Sequence, residues 1–232
     1  NILLYYIMKY IRNLSKKEIN EYRNFLKKNN YLLIKNILTE EAINYFTDNI
    51  KFGNNLDELQ FGRCHNEINS QGICDNYLNE TFKLYKKILG EEYYTTYTFA
   101  MLYRKGNELL PHLDLIQNEI SATTCYASEK DYPIYISKPF IENNYKERYT
   151  EDINKIKEED KIEINIQVGD IGFFNGRNHF HFRKKLTEDI NYRGILTHYS
   201  KTIIDSDEWN KKTSETPPFF NSNNGPLYNR NF

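Results

Sequence analysis

Between Ser15 and Asn30 apolar residues return every three to four positions, with Ile19, Tyr22, Phe25 and Leu26 on one side of the segment SKKEINEYRNFLKKNN. Ser15 followed three residues later by Glu18 is the signature of a capping box, so the pattern predicts an amphipathic helix opened by Ser15. YLLIKNIL then predicts a short strand, TEEAINYFTDNI a helix with acids in its first turn, and DNYLNETFKLYKKILG a helix stopped by Gly90. Residues 1–92 therefore read as mostly helical.

Beyond them the period changes. Tyr and Thr crowd YYTTYTFAMLY, and LLPHLDL, EISATTCYA, YPIYIS, KIEINIQV, IGFFN, HFHFRK and YRGILTHYS follow as short β-forming runs. The clearest alternation is in KIEINIQV, where Ile162, Ile164, Ile166 and Val168 share one face. Eight short strands behind a helical layer predict an α+β, mainly β chain: a β-barrel or sandwich supported by N-terminal helices within the same domain. The strand-rich core spans residues 93–203. A charged excursion at residues 138–161 interrupts it and reads as a solvated loop with a short helix, the alternative being a substrate lid. Residues 204–232 are rich in Pro, Asn and aromatics without periodicity, which predicts an irregular tail.

Composition narrows the function classes. The 232 residues are enough for one domain with a sizeable core. With 31 Lys and Arg against 32 Asp and Glu, and no basic stripe, nucleic acid is not an expected partner. Cys64, Cys74 and Cys125 are too few for a disulfide framework and form no CxxC, as in a reducing compartment. The apolar run ILLYYIM is shorter than a membrane span and has no basic region before it. The expectation is a soluble, cytoplasmic or other intracellular protein without a membrane partner. The abundance of Asn, Lys, Ile and Tyr fits an AT-rich genome, and Met8 leaves open whether residues 1–7 belong to the natural chain.

The chemistry starts at LLPHLDLIQNEIS. Residues two apart in an extended strand point to the same side, so His112 and Asp114 can aim an imidazole and a carboxylate at one point. A third ligand on that face completes a 2-His-1-carboxylate site with open metal positions. His179 and His181 in GDIGFFNGRNHFHFRKK are both candidates, and strand parity does not separate them. Arg193, twelve residues past His181, stands among β-formers, where a buried guanidinium requires a partner such as a carboxylate that it can fork.

Taken in order, these blocks resemble the iron(II) and 2-oxoglutarate dependent dioxygenases, in particular their prolyl-hydroxylase-like branch, over residues 93 to about 200. YTFAMLYRKGNELLPHLD resembles the strand whose tyrosine precedes the HxD, NEIS an acidic-x-serine block after it, and YPIYI a following aromatic strand. GDIGFFNGRNHFHFR resembles the block with the distal histidine, and YRGILTHY the strand with the cosubstrate arginine.

The resemblance implies a double-stranded β-helix (jelly-roll, cupin-like) with Fe(II) on His112, Asp114 and His181. His181 is favoured over His179 by its five-residue step from Gly176. It further implies 2-oxoglutarate held by Arg193 and Tyr103, O2 as the oxidant, and hydroxylation of an unactivated C–H bond with succinate and CO2 as coproducts. The implied substrate is a peptide or protein side chain such as proline; a free amino acid or small metabolite is the alternative, and a non-catalytic binding barrel a more distant one. Asp114 argues against halogenation, because halogenating relatives replace that carboxylate with a small residue.

The pattern departs from the family at Leu115, often Arg, at Phe182, often Trp, in a slightly long interval from His181 to Arg193, and in the charged insertion. Arg183 and Glu119 are expected to orient substrate or to pair with each other. His65 reads as a loop residue. His198, of opposite strand parity to Arg193, is expected to face away from the cosubstrate. Ser121, Thr123 and Cys125 share one face and can line the pocket or fill core.

Overall fold

Ser15 opens the first helix as a capping box requires. Its hydroxyl accepts the Glu18 amide while the Glu18 carboxylate accepts the Ser15 amide, and α1 runs Lys16–Asn29 to a left-handed Asn30. The computed structural model describes residues 9–52, 68–90, 92–114, 118–138 and 156–201. It continues with β1 (Tyr31–Ile34), α2 (Glu40–Asn49) capped by Thr39, and α3 (Ile68–Leu89). α3 stops at Gly90, where a φ of 137° favours glycine.

Eight more strands follow among the described residues: β2 (Tyr94–Tyr103), β3 (Leu109–His112), β4 (Ile120–Ser128), β5 (Ile134–Ser137), β6 (Lys161–Ile164), β7 (Ile171–Phe174), β8 (His181–Arg183) and β9 (Tyr192–Ser200). They pair antiparallel in two sheets, a five-stranded one of order β1-β7-β4-β9-β2 and a four-stranded one of order β3-β8-β5-β6. This is the jelly-roll, a double-stranded β-helix. β1, from the helical half, joins the larger sheet beside β7.

Two apolar clusters flank the five-stranded sheet. One lies between the sheet and the helices and includes Phe46, Tyr77, Tyr85, Ala122, Phe173, Ile195 and Tyr199. The other lies between the sheets and includes Met101, Tyr103, Ile134, Ile136, Phe174 and Tyr192. Burial of this kind contributes about 25 cal/mol per Å2 of apolar surface, so the helical layer stabilises the barrel as much as it decorates it.

Two expectations are revised. The run KIEINIQV is a strand only through Ile164; Ile166 is still buried, but Val168 is exposed. The cause is a turn around two carboxylates. Asn165 and Gln167 donate to Asp131, the Gln167 amide donates to Asp170, and Gly169 takes a φ of 92°. Asp114 lies just past the end of β3 rather than within it, held by its amide donating to the Gly176 carbonyl at 2.8 Å.

No helix among the described residues is long and apolar enough to cross a membrane. Residues 1–7, His65, Cys64, Leu115, most of the 138–161 excursion and the 204–232 tail lie outside the described residues.

Candidate metal centre and its pocket

β3 and β8 are neighbours in the smaller sheet, and their register sets His112 directly across from His181. Asp114 completes a buried group whose three donor atoms lie within 4.8 Å of one another. Oδ1 of Asp114 is 3.8 Å from His112 Nε2 and 3.5 Å from His181 Nε2. Each ring is turned by a backbone carbonyl. His112 Nδ1 lies 2.8 Å from the Leu110 oxygen and His181 Nδ1 3.1 Å from the His179 oxygen. A carbonyl can only accept, so both rings donate from Nδ1 and turn Nε2 toward Asp114, where it can serve a metal once it carries no proton.

The Asp114 carboxylate is charged despite its burial. Burial opposes ionisation, but the attraction and hydrogen bond of His181, with His198 and His112 nearby, hold its pKa well below the usual range. Gly176 makes the approach possible: a Cβ there would stand 1.9 Å from Asp114 Oδ2.

His179 does not join this group. It is fully buried, its Nδ1 donates to the Ser137 oxygen at 2.6 Å, and burial keeps its pKa below the usual histidine value. The structure brings together His112, Asp114 and His181.

The pocket beside the three ligands is lined along β2 by Tyr97, Phe99, Met101 and Tyr103, and along β9 by Leu196 and His198. Arg183, two residues from His181 and on the same face of β8, lines it as well. Its side chain is 2% exposed, its guanidinium donates to the Tyr132 oxygen and to Tyr192 Oη, and its Cζ lies 4.3 to 5.4 Å from the ring centres of Tyr192, Tyr132 and Tyr103. Burial by itself would lower its pKa, yet the three tyrosines raise it above the usual arginine value. No carboxylate pairs with it among the described residues, so a buried positive charge with donors to spare faces the pocket.

Arg193 is placed differently from the expectation. It pairs in register with Leu102 and Ala127 and does not line the pocket. It shares strand parity with Ile195 and Tyr199, which pack under the helices. Its charged neighbour is Glu129, whose pKa falls against the cost of burial through the Asn191 amide and side chain and through Arg193.

His198 has the opposite parity, as expected, but this parity turns it into the pocket rather than away. Glu119 is also outside: it accepts from Tyr93 Oη at 3.2 Å and lies 3.7 Å from Lys201 Nζ, without touching Arg183. Tyr103 is in the pocket wall against Arg183.

Tyr132, Tyr192 and His198 join the pocket and its arginine without having been marked by motif or spacing. The signal was present in YRGILTHYS, where Tyr192, Gly194, Leu196 and His198 alternate as one face.

The donor set fits a divalent transition metal with open positions, since two imidazoles and one carboxylate leave part of the sphere free. An organic anion bound beside it would find, in the same pocket, Arg183 and the buried Thr123 Oγ1, which has no hydrogen-bond partner among the described residues. The cavity holds about 30 Å3, room for about two waters, so such an anion requires lining side chains to yield. Met101, unbranched, is suited to that.

No family model matches the sequence, and no curated protein is significantly similar to it. Solved structures are similar in fold. An oxidoreductase of the 2OG-Fe(II) oxygenase family from Burkholderia pseudomallei aligns at a TM-score of 0.57 and 11% identity, over 84% of this chain and 96% of that one. HygX from Streptomyces hygroscopicus, with nickel and 2-oxoglutarate bound, aligns at 0.58 and 10%, over 83% and 89%. A prolyl-4-hydroxylase from Pseudomonas putida aligns at 0.54 and 10%, over 85% and 100%. The chain has the fold of the 2OG-Fe(II) oxygenases.

Proposed function

We propose that the protein is an Fe(II)- and 2-oxoglutarate-dependent dioxygenase that hydroxylates an unactivated C–H bond. The observation that carries this reading is the pairing, in one pocket, of the buried His112, Asp114 and His181 group with a buried Arg183 that has no carboxylate partner among the described residues. His112, Asp114 and His181 would hold the iron, and Arg183, in place of Arg193, would fork the far carboxylate of 2-oxoglutarate. Tyr103, with Tyr132 and Tyr192, steadies the guanidinium through its faces, and Thr123 Oγ1 supplies a hydrogen-bonding group along the way.

The bound iron, with 2-oxoglutarate and O2, supplies oxidation of a C–H bond coupled to release of succinate and CO2. The protein's own share is to position reactants and keep the site dry, with Phe99, Met101, Ile134, Phe174 and Leu196 excluding water.

For the substrate, we favour a peptide or protein side chain such as proline, in line with the likeness in fold to the Pseudomonas putida prolyl-4-hydroxylase. A small-molecule substrate is the second reading. It is supported by HygX, which has been solved with hygromycin B bound and aligns at a TM-score of 0.55 and 9% identity. The test is succinate formation from 2-oxoglutarate under air with added Fe(II), first alone and then with pools of proline-containing peptides and of amino acids and amino sugars. Iron-dependent succinate is the expected result, and its absence in a metal-loaded, folded protein contradicts the proposal. The pool that raises succinate above the substrate-free level decides between the two substrate classes.

A further inference from the structure

Asp114 has two carboxylate oxygens, and the structure treats them differently. Oδ1 faces both histidine Nε2 atoms. Oδ2 accepts a hydrogen bond from Ser121 Oγ and is walled in by Gly176. Ser121 is in turn 2.8 Å from His198 Nδ1, and the two residues are register partners on β4 and β9.

A serine hydroxyl has a single hydrogen. With that hydrogen on Asp114, the Ser121 oxygen can only accept from His198, so His198 carries its proton on Nδ1. The His198 ring is packed at 4.5 Å from the Tyr97 ring, whose hydroxyl accepts from Asn118 Nδ2 at 2.9 Å, and Asn118 Oδ1 accepts from Thr96 Oγ1 at 3.3 Å. Ser121, His198 and Asn118 are all buried, and these hydrogen bonds, joined by the His198–Tyr97 ring contact, lead away from the metal-ligand group toward β2 at the edge of the large sheet.

We infer that Ser121 and His198 are positioning residues that hold Asp114 to one-oxygen coordination, with Oδ1 given to the metal and Oδ2 kept back. The inference rests on the proposed metal-binding role of His112, Asp114 and His181. If His198 is lost, the Ser121 hydroxyl is free to rotate; if Ser121 is lost, Oδ2 is left buried with one fewer partner, and the carboxylate is no longer fixed. Outer partners of this kind are commonly worth about 10- to 100-fold in metal affinity.

The test is titration of the metal-free full-length protein with Co(II), followed by its visible absorption, in wild type, Ser121→Ala, His198→Phe and His198→Asn. The Asn amide N–H can stand close to where the imidazole Nδ1–H stands. Thermal melts of the metal-free proteins report folding separately. The expected result is Co(II) affinity about 10- to 100-fold weaker in Ser121→Ala and His198→Phe, with an altered spectrum, and recovery of most of it in His198→Asn.

Wild-type affinity and spectrum in a folded Ser121→Ala would overturn the relay. His198→Asn no better than His198→Phe, both folded, would remove His198 from it. Should His198→Phe fail to fold, Ser121→Ala against wild type decides the matter alone. A wild-type protein that binds no Co(II) would instead defeat the metal reading itself, so the two failures are distinguishable.

Discussion

The face of the five-stranded sheet turned toward the helices carries Ala100, Ala122, Tyr126, Phe173, Ile195 and Tyr199, whereas the face turned toward the smaller sheet carries Ser121, Thr123, Leu196 and His198 among its aromatics. Both are buried, and the second has Asp114 and Arg183 against it. A buried charge is costly unless it is paired or does something, so the contrast identifies where the fold gives up stability for chemistry. The two arginines show it at the scale of one residue. Arg193, on the helix side, sits by Glu129; Arg183, inside, has three tyrosines and no carboxylate partner among the described residues.

The sharpest way to break this comparison is to remove a ligand. His112→Ala or His181→Ala should abolish Fe(II)-dependent turnover, while His179→Ala keeps the metal and loses stability, since His179 is buried and bonded to the Ser137 carbonyl. Metal titration and thermal melts read the two effects separately, and iron lost only on changing His179 would reverse the assignment.

Gly176→Ala comes next. Its backbone does not need glycine's freedom, but the added Cβ collides with Asp114 Oδ2. Metal affinity should fall by at least about tenfold, as for loss of a ligand's support, with little change in melting temperature.

The arginine pair then sharpens the contrast. Arg183→Lys keeps the charge and loses the fork, so the concentration of 2-oxoglutarate needed for half-maximal succinate release should rise by about 10- to 100-fold, the worth of a charged hydrogen bond of about 1.5–3 kcal/mol. Arg193→Lys should leave it unchanged. On the helix side, Ile195→Ala should cost about 2–5 kcal/mol in denaturant unfolding and leave cosubstrate dependence alone.

The smallest effect belongs to the exposed capping box. The Ser15 amide and hydroxyl, then Arg12, lower the Glu18 pKa from 4.5 to about 2. A depressed folded pKa means stability that is present above pH 4.5 and lost as the pH falls toward 2. Glu18→Gln should therefore lower the melting temperature slightly at neutral pH, and the difference from wild type should shrink between those two values.

Much of this was legible in the chain because local rules carried it. The capping box at Ser15, the stop at Gly90 and the strands from β2 to β9 follow from periodicity and turn chemistry, and His112 with Asp114 from spacing. What periodicity cannot say is which face of a strand looks inward when both are buried. In β9 both parities are largely apolar or aromatic, so alternation alone does not say that His198, rather than Arg193, lines the pocket. The fold of the 165–170 turn was hidden for a related reason: Asp131 and Asp170, distant or later in sequence, capture the backbone and side chains that alternation alone would have extended into a strand. Nor can spacing reveal the tyrosines around Arg183, which come from β2, β9 and the loop before β5.

On the proposed reading one pocket holds iron on His112, Asp114 and His181 together with a 2-oxoacid whose far carboxylate meets Arg183. Anaerobic titration of the Fe(II)-loaded protein with 2-oxoglutarate tests it most directly, because a 2-oxoacid chelating Fe(II) gives a visible charge-transfer band. A saturable band is expected in wild type and in Arg193→Lys, shifted to much higher 2-oxoglutarate in Arg183→Lys and absent in His181→Ala. A folded, iron-loaded wild type that shows no band, or an Arg183→Lys protein that titrates like wild type while Arg193→Lys does not, would contradict it.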